Sequence, residues 1–299
     1  MDGNGSSRFL NLLPFGIPTQ IIAEDPQLIA AAAAAYAHWL AEASVAEPSI
    51  EVRLETGSPS TIGVSLDIVV DGSRLRLNGR GAEGTADAAT GKASAILSPE
   101  LAEYAAALTD ILDTLLLFLL ARRARTPVHA SAFMVGDLAL VLAGPSGSGK
   151  STLALAAAER GYKVLSDDMI FVQLEPEFAI WGLPRPIHVY PADAPAGDHP
   201  KRMRSGKLKA AVPLRAAALR AERTALVLLE GGSELALSAA VPATAIEKLM
   251  DLDAGFALLK PESKKAIQAL ASGGAWRLKL SDDAAAAVDL LASRFAAQP

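Results

Sequence analysis

Cysteine is absent from this sequence of 299 residues. Its absence excludes disulfide bridges and thiolate metal or redox sites, and it fits a reducing cytoplasm. Positive charge is also in the minority, since 28 Lys and Arg against 33 Asp and Glu leave a net charge of −5. An acidic chain repels a polyanion, so we do not expect nucleic acid as a partner.

Long hydrophobic segments are scarce as well. The apolar run at residues 115–120 is bracketed by Asp113 and Arg122, and it is far shorter than the ~20 residues that a membrane-spanning helix needs. The first residues, Met1 to Gly5, contain neither the basic region nor the apolar core of a signal peptide. We therefore expect a cytoplasmic protein without a membrane partner.

The sequence does contain a strand, a glycine-rich turn and a helix in direct succession. Residues 138–143 form a short apolar run typical of a buried strand, and residues 152–160 have a helical pattern that ends at Gly161. The turn between them matches the pattern G-x-x-x-x-G-K-[ST] at every fixed position. In this context the motif predicts a phosphate-binding loop, made by Gly144, Pro145, Ser146, Gly147, Ser148, Gly149, Lys150, Ser151 and Thr152.

Backbone geometry explains why these residue types bind phosphate. Glycines allow consecutive N–H groups to point at one phosphate, and the helix that follows adds the positive end of its dipole. Lys150 is expected to reach the β- and γ-phosphates, and the Ser151 hydroxyl is expected to ligate Mg²⁺. The sequence therefore predicts a nucleoside triphosphate and Mg²⁺ as ligands.

Two adjacent carboxylates follow in apolar surroundings. Asp167 and Asp168 lie within residues 163–172, which we predict to be a single strand. Carboxylates in such a setting are costly unless they meet a metal or another cation. Because neighbouring strand residues point to opposite faces, one acid would hold Mg²⁺ while the other takes the proton of an attacking hydroxyl.

Together these motifs resemble one family. The stretch from His129 to Asp168, with HASA, the strand, the phosphate loop, the helix ending in RGY, and SDD, is similar to the catalytic domain of the HPr kinase/phosphorylase family. That fold also resembles the nucleotide domain of phosphoenolpyruvate carboxykinase. The resemblance covers about half of the chain, roughly residues 120–240. It implies an ATP- and Mg²⁺-dependent kinase that phosphorylates a serine hydroxyl of a protein or peptide and often forms homo-oligomers.

The resemblance also implies roles for individual residues. Asp167 would be the catalytic base, and Asp168 would join Ser151 at the metal. His129 and Lys150 would act on the transferred phosphate as further catalytic residues. These roles are expectations from the family and go beyond what the residue pattern itself assigns.

An arginine that contacts phosphate is implied as well, with Arg215 as the first candidate and Arg220 or Arg223 as alternatives. One position departs from the family, because Ala179 stands where a metal-binding glutamate is expected. This departure argues against the phosphorylase half of the family's activity. The sequence GLPRPI at residues 182–187 favours the branch encoded beside lasso-peptide genes, whose kinases phosphorylate the C-terminal serine of the precursor peptide.

The part of the chain before this stretch predicts a separate domain. Asp25 and Pro26 open an alanine-rich helix, and alternating residues around the turn Asp71-Gly72 predict a β-hairpin, whereas residues 79–92 predict a loop. We therefore predict an α/β protein in two parts. A smaller α+β domain for docking or assembly (residues 1–124) precedes a P-loop kinase domain with C-terminal helices (residues 125–299).

A basic cluster at residues 201–209 stands out in this acidic chain. It is either a solvated loop or a loop that folds over the triphosphate or an acidic substrate. Three functions besides a peptide serine kinase also stay open. They are a kinase of HPr itself, a nucleotide-responsive binding module without turnover, and a small-molecule kinase or P-loop ATPase.

Overall fold

The computed structural model describes residues 8–42, 47–59, 65–193, 201–202, 208–252 and 260–296. The chain has a mixed α/β fold and divides into two compact units, Met1–Arg123 and Ala124–Pro299. The division lies one residue from the boundary that we predicted between residues 124 and 125. Each unit is built on sheets of its own.

The first unit is built on a seven-stranded sheet. Its strands are β1 (Arg8–Leu12), β2 (Thr19–Ala23), β3 (Ile50–Thr56), β4 (Asp67–Asp71), β5 (Arg74–Gly79), β6 (Ala82–Asp87) and β7 (Lys92–Leu97). They are ordered β1-β2-β3-β7-β6-β5-β4, with β2, β3 and β7 parallel and the other neighbours antiparallel. Alternation along β3 buries Ile50, Val52 and Leu54 and leaves Arg53 exposed, as expected for a half-buried strand.

Two helices pack on this sheet, α1 (Pro26–Ala35) and α2 (Ala105–Ala121). The Asp25 carboxylate caps α1 as predicted, because its Oδ1 accepts the Gln27 N–H at 2.8 Å. The run at residues 115–120 lies inside α2, and most of its side chains are buried. Among the described residues, no helix combines the length and the apolar character needed to cross a membrane.

The predicted loop at residues 79–92 is wrong, since most of it forms β6 and its turns. The residues of β6 that face the core are Ala82, Gly84 and Ala86. Their small side chains carry too little hydrophobic signal to mark a strand in the sequence. The predicted hairpin at Asp71-Gly72 is confirmed as the turn between β4 and β5.

The second unit contains a central six-stranded sheet and two smaller sheets. Its strands are β8 (Thr126–Val128), β9 (Ser131–Val135), β10 (Leu138–Ala143), β11 (Val164–Ser166), β12 (Ile170–Gln173), β13 (Ala179–Gly182), β14 (Ile187–Val189), β15 (Lys201–Arg202), β16 (Leu208–Val212), β17 (Arg220–Ala221), β18 (Arg223–Gly231), β19 (Ala236–Ala239) and β20 (Ala275–Leu280). The helices are α3 (Lys150–Glu159), α4 (Pro242–Leu252), α5 (Lys260–Ser272) and α6 (Ala284–Ala296). Short 3₁₀ helices lie at Pro14–Gly16, Ala37–Trp39, Pro99–Glu103 and Pro191–Asp193.

The central sheet has the order β11-β9-β10-β18-β20-β19, and the smaller sheets have the orders β17-β13-β12-β8 and β14-β16-β15. In the central sheet, β10, β18 and β20 are parallel. Strand β10 is buried on both faces. Leu138, Leu140 and Leu142 belong to the core formed with α3 and α6, and the alternate residues belong to the core formed with α4 and α5. The strand and helix predicted on either side of the glycine-rich turn are therefore both present.

Candidate active site

Sheet topology brings three distant sequence motifs to one edge of the central sheet. Strand β9 lies between β10 and β11 and is antiparallel to both, with Ser131 opposite Leu142 and Ala132 opposite Ser166. The start of β9 therefore lies at the edge where β10 and β11 end. The phosphate loop after β10, the aspartate pair after β11 and His129 before β9 meet at this edge.

Left-handed glycines shape the loop. Gly147 and Gly149 have φ angles of 87° and 93°, a backbone region that other residues rarely adopt. A Cβ atom at Gly149 would also lie 3.1 Å from Leu280 Cδ1. Helix α3 begins at Lys150, directly after Gly149, so the free N–H groups of its first turn border the loop.

Lys150 is held inside the loop. Its side chain is buried, with 7% of the residue exposed, and its Nζ donates to the carbonyl oxygens of Gly144 at 2.7 Å and Pro145 at 3.1 Å. The ammonium group therefore lies where the motif would bind phosphate. A phosphate oxygen can replace these neutral carbonyls as a stronger, charge-assisted acceptor.

The two aspartates lie in a bend between strands of different sheets, so the prediction of one continuous strand is wrong. Strand β11 ends at Ser166 in the central sheet, and β12 starts at Ile170 in a smaller sheet. Because the strand is interrupted at these residues, the two carboxylates need not point to opposite faces of one sheet. Their surroundings differ as a result.

Asp167 is buried and fixed, with 6% of the residue exposed. Its Oδ2 accepts the His188 backbone N–H at 2.8 Å, and its main-chain carbonyl accepts the Ser131 hydroxyl. Its Oδ1 is also buried but has no hydrogen-bond partner. Burial raises the pKa of Asp167, and the His188 N–H and the nearby Ser151 hydroxyl offset this only in part. A buried carboxylate oxygen without a hydrogen-bond partner destabilises the fold.

Asp168 is exposed, with 75% of its side chain accessible, and its Oδ1 lies 3.3 Å from His129 Nδ1. Both residues line a cavity of about 230 Å³, together with Lys150 and Ser151 of the loop. With Ser146, Gly147, Gly149 and Thr152, eight residues predicted for the site border one cavity. Asp167 is buried and is not part of this lining, but it lies near the Ser151 hydroxyl.

The predicted arginines are elsewhere. Arg215 is exposed, and it is not among the residues that line the 230 Å³ cavity. Arg220 is paired with Glu177 and Glu222. Arg223 is paired with Asp137. None of these three arginines lines the 230 Å³ cavity.

Four further residues border the same cavity, namely His188, Val189, Tyr190 and Lys209. Lys209 belongs to the basic cluster, which gave a signal for it. His188 contributes through its backbone to Asp167, and a backbone contact leaves no signal in the residue type. The pairing of β14 with β16 places both residues at the cavity.

The residues present fit a magnesium ion that is shared with a triphosphate. Among the described residues, no group of three or more His, Asp and Glu side chains could hold a metal by itself. Mg²⁺ commonly needs only one or two protein ligands when phosphate oxygens and water complete its shell. The unpartnered Asp167 Oδ1 and the Ser151 hydroxyl match this need. Ala179 is fully buried in β13 and offers no ligand.

A second cavity, of about 880 Å³, also borders the phosphate loop. Residues 228–232 at the end of β18, residues 280–282 after β20, and Lys248 of α4 line it with the loop. Its walls combine leucines with a few charged groups, as is usual for sites that bind small organic ligands.

Comparisons with known proteins add a partial similarity. No protein-family model matches the chain. HPr kinase/phosphorylases from Streptococcus thermophilus and Streptococcus sanguinis are 35% and 32% identical to it over 63 residues, which is 21% of this chain. The match spans only 20% of the length of these relatives.

A solved structure, the Hpr(Ser) kinase/phosphatase from Coxiella burnetii, aligns with 56% of this chain and 93% of its own at 13% identity, with a TM-score of 0.28. That score is too low to establish a shared overall fold. What the comparisons show is similarity in sequence to HPr kinase/phosphorylases over about a fifth of this chain.

Proposed function

We propose that this protein is an ATP- and Mg²⁺-dependent kinase that transfers the γ-phosphoryl group to a serine hydroxyl of a peptide or protein. One observation carries the proposal: the phosphate loop with its lysine and the exposed Asp168 line one cavity, and a second, buried carboxylate, Asp167, lies near Ser151 of the same loop. A phosphoryl transfer needs these parts, namely a phosphate cradle, a metal ligand and an acceptor for the proton. The partial similarity to HPr kinase/phosphorylases supports the same reaction class.

The loop and the two cavities beside it bind different parts of the nucleotide. The loop amides and Lys150 bind the phosphates, with Lys150 exchanging the carbonyls of Gly144 and Pro145 for phosphate oxygens. The 880 Å³ cavity receives the nucleoside between apolar side chains such as Leu228 and Leu280. The 230 Å³ cavity then receives the γ-phosphate and the acceptor hydroxyl.

Ser151 and Asp167 hold the metal in this proposal. The Ser151 hydroxyl lies near the Asp167 carboxylate, whose Oδ1 has an unused acceptor site. Bound Mg²⁺ supplies positive charge to the phosphate oxygens. It also relieves the unfavourable burial of the Asp167 carboxylate.

Asp168 takes the proton of the acceptor, and His129 orients it. Asp168 lines the cavity and is accessible, whereas Asp167 is buried against the loop. The contact of 3.3 Å with His129 Nδ1 fixes the direction of the carboxylate. This assignment exchanges the roles of the two aspartates that the family resemblance implies, and it rests on their different exposure.

The acceptor is a flexible segment that presents a serine. A cavity of about 230 Å³ admits one small side chain beside a phosphate group. The C-terminal serine of a lasso-peptide precursor is the specific acceptor that the sequence resemblance favours, and folded HPr is the competing one. The cytoplasmic location and the homo-oligomeric state stay predictions.

Mass spectrometry of serine peptides incubated with the protein, ATP and Mg²⁺ tests the reaction, with serine-to-alanine peptides and HPr as parallel substrates. Asp168→Asn is expected to slow transfer by about 10²–10⁴-fold without weakening nucleotide binding. Asp167→Asn is expected to raise the Mg²⁺ concentration needed for half-maximal rate. ATP hydrolysis without any phosphorylated peptide or HPr would contradict the kinase proposal. An unchanged rate in Asp168→Asn would contradict the assigned base.

A further inference from the structure

Lys209 lies at the rim of the cavity that contains Asp168 and Lys150. Strands β14 and β16 pair with Val189 opposite Ala210, so Lys209 lies beside the end of β14. Its Nζ donates to the His188 carbonyl at 3.0 Å and lies 5.7 Å from the centre of the Tyr190 ring. The His188 residue thus bonds Asp167 through its N–H and Lys209 through its carbonyl.

Lys209 contacts a neutral carbonyl and an aromatic face, and its charge also acts on the buried Asp167 carboxylate. Within the part of the chain that the structure describes, Lys209 has no carboxylate within ion-pair distance, unlike Arg220 and Arg223, which are both paired. A cation that lines a cavity and forms its hydrogen bond with a neutral carbonyl can bind an anion there. The lysine stem can turn its ammonium from the carbonyl to a nearby oxygen with little rearrangement.

We infer that Lys209 is a catalytic residue that binds the γ-phosphate of the nucleotide, the role for which the family resemblance gave Arg215 as the first candidate. The inference rests on the proposed kinase function. Lys150 contacts the phosphates from the loop, and Lys209 contacts the γ-phosphate from β16. Positive charge from two directions stabilises the negative charge on the oxygens of the transferred group.

The proposed transfer exchanges one phosphorus–oxygen bond for another. The serine oxygen forms the new bond to the γ-phosphorus, and the bond from that phosphorus to the bridging oxygen breaks. The electron pair of the broken bond leaves with ADP, and the serine proton goes to Asp168. Lys209 keeps its proton throughout and contributes charge and hydrogen bonds only.

A purely structural role for Lys209 makes a different prediction. The bond to the His188 carbonyl joins β16 to β14, so its loss alone would disturb the site for every nucleotide. A contact with the γ-phosphate affects a triphosphate and leaves a diphosphate unchanged. Comparison of the two nucleotides therefore separates the two roles.

Isothermal titration of the full chain with Mg²⁺ and either AMP-PNP or ADP provides the test. Lys209→Met is expected to weaken AMP-PNP binding by about tenfold or more, the value of one charge-assisted hydrogen bond, and to leave ADP binding unchanged. Lys209→Arg should retain most of the AMP-PNP affinity. Lys163→Met, which removes an exposed lysine that does not line the cavity, is the matched control.

Equal weakening of both nucleotides, or no change in either, would overturn the inference. If the wild type binds AMP-PNP but phosphorylates no peptide, the kinase proposal fails, while the difference between the two nucleotides still decides the role of Lys209. If the wild type binds neither nucleotide, both ideas fail together.

Discussion

Asp167→Asn is expected to stabilise the metal-free protein while impairing its function. The carboxylate is buried, and its Oδ2 accepts the His188 N–H, whereas its Oδ1 has no hydrogen-bond partner. Burial raises its pKa more than its favourable contacts lower it. Folding therefore disfavours the charged form of this side chain. Asparagine keeps an acceptor for the His188 N–H and replaces the charged carboxylate with a neutral amide.

The size of the effect follows from the unpartnered oxygen. An unsatisfied buried polar group costs about 1–3 kcal/mol, and the amide recovers part of this, so we expect a gain of about 1 kcal/mol in the free energy of unfolding. In a unit of about 150–250 residues this corresponds to a rise of about 2–4 °C in Tm.

The sign of the pH dependence is fixed by the raised pKa. Above the folded-state pKa the buried carboxylate is charged and its cost is complete, so the advantage of asparagine is greatest there. As the pH falls through that pKa towards the unfolded value of about 3.9, the carboxyl group becomes neutral and the advantage disappears.

Thermal unfolding in EDTA, from about pH 8 to about pH 4.5, measures the difference in Tm between the variant and the wild type. The same measurement with excess Mg²⁺ and AMP-PNP shows whether ligand binding removes that difference. Asp168→Asn is the matched control and should leave Tm nearly unchanged, because 75% of the Asp168 side chain is exposed. The reasoning is refuted if Asp167→Asn lowers Tm in EDTA at neutral pH. A gain that persists unchanged at the acid end would refute it as well.

Three other substitutions test the loop and its surroundings. Gly149→Ala should weaken AMP-PNP binding, because a left-handed alanine costs about 1–2 kcal/mol and its Cβ crowds Leu280; Gly136→Ala, with a φ of 64° in open space, should lower Tm without affecting nucleotide titrations. Ser151→Ala should raise the Mg²⁺ needed for half-maximal phosphorylation by about tenfold or more, whereas Ser151→Thr should restore it; equal Mg²⁺ dependence in all three proteins would exclude Ser151 as a ligand. Ala179→Glu should lower Tm strongly, since it buries a lone carboxylate in β13, and a stable variant with tighter Mg²⁺ binding would show that this strand faces the metal.

Much of the second unit could be predicted because its signals are local. The apolar run of β10, the glycines and lysine of the turn, and the start of α3 follow one another directly, and each answers a requirement of the backbone at that position. The boundary near Arg123 also has a local signal in the charged residues after α2. By contrast, β6 escaped prediction because its buried residues are small and its exposed ones are polar.

The site shows where sequence reasoning stops. The residue types of Asp167 and Asp168 indicated acid chemistry, and they did border the loop. Their division of labour could not be predicted from strand alternation, because the chain bends between β11 and β12 at these two residues. Arg215 was chosen by resemblance, but it does not line the cavity beside the loop, whereas Lys209 does.

The sequence by itself determined the phosphate loop, because its conformation depends on glycines and a helix start that are contiguous in the chain. Tertiary structure alone decided the burial and the electrostatic environment of each aspartate. Asp167 is buried, bonds the His188 backbone and lies near Ser151 because separate segments of the chain meet around it. The antiparallel insertion of β9 and the pairing of β14 with β16 bring these segments together. Burial and electrostatic potential at a carboxylate depend on atoms nearby in space, and the order of residues does not contain that information.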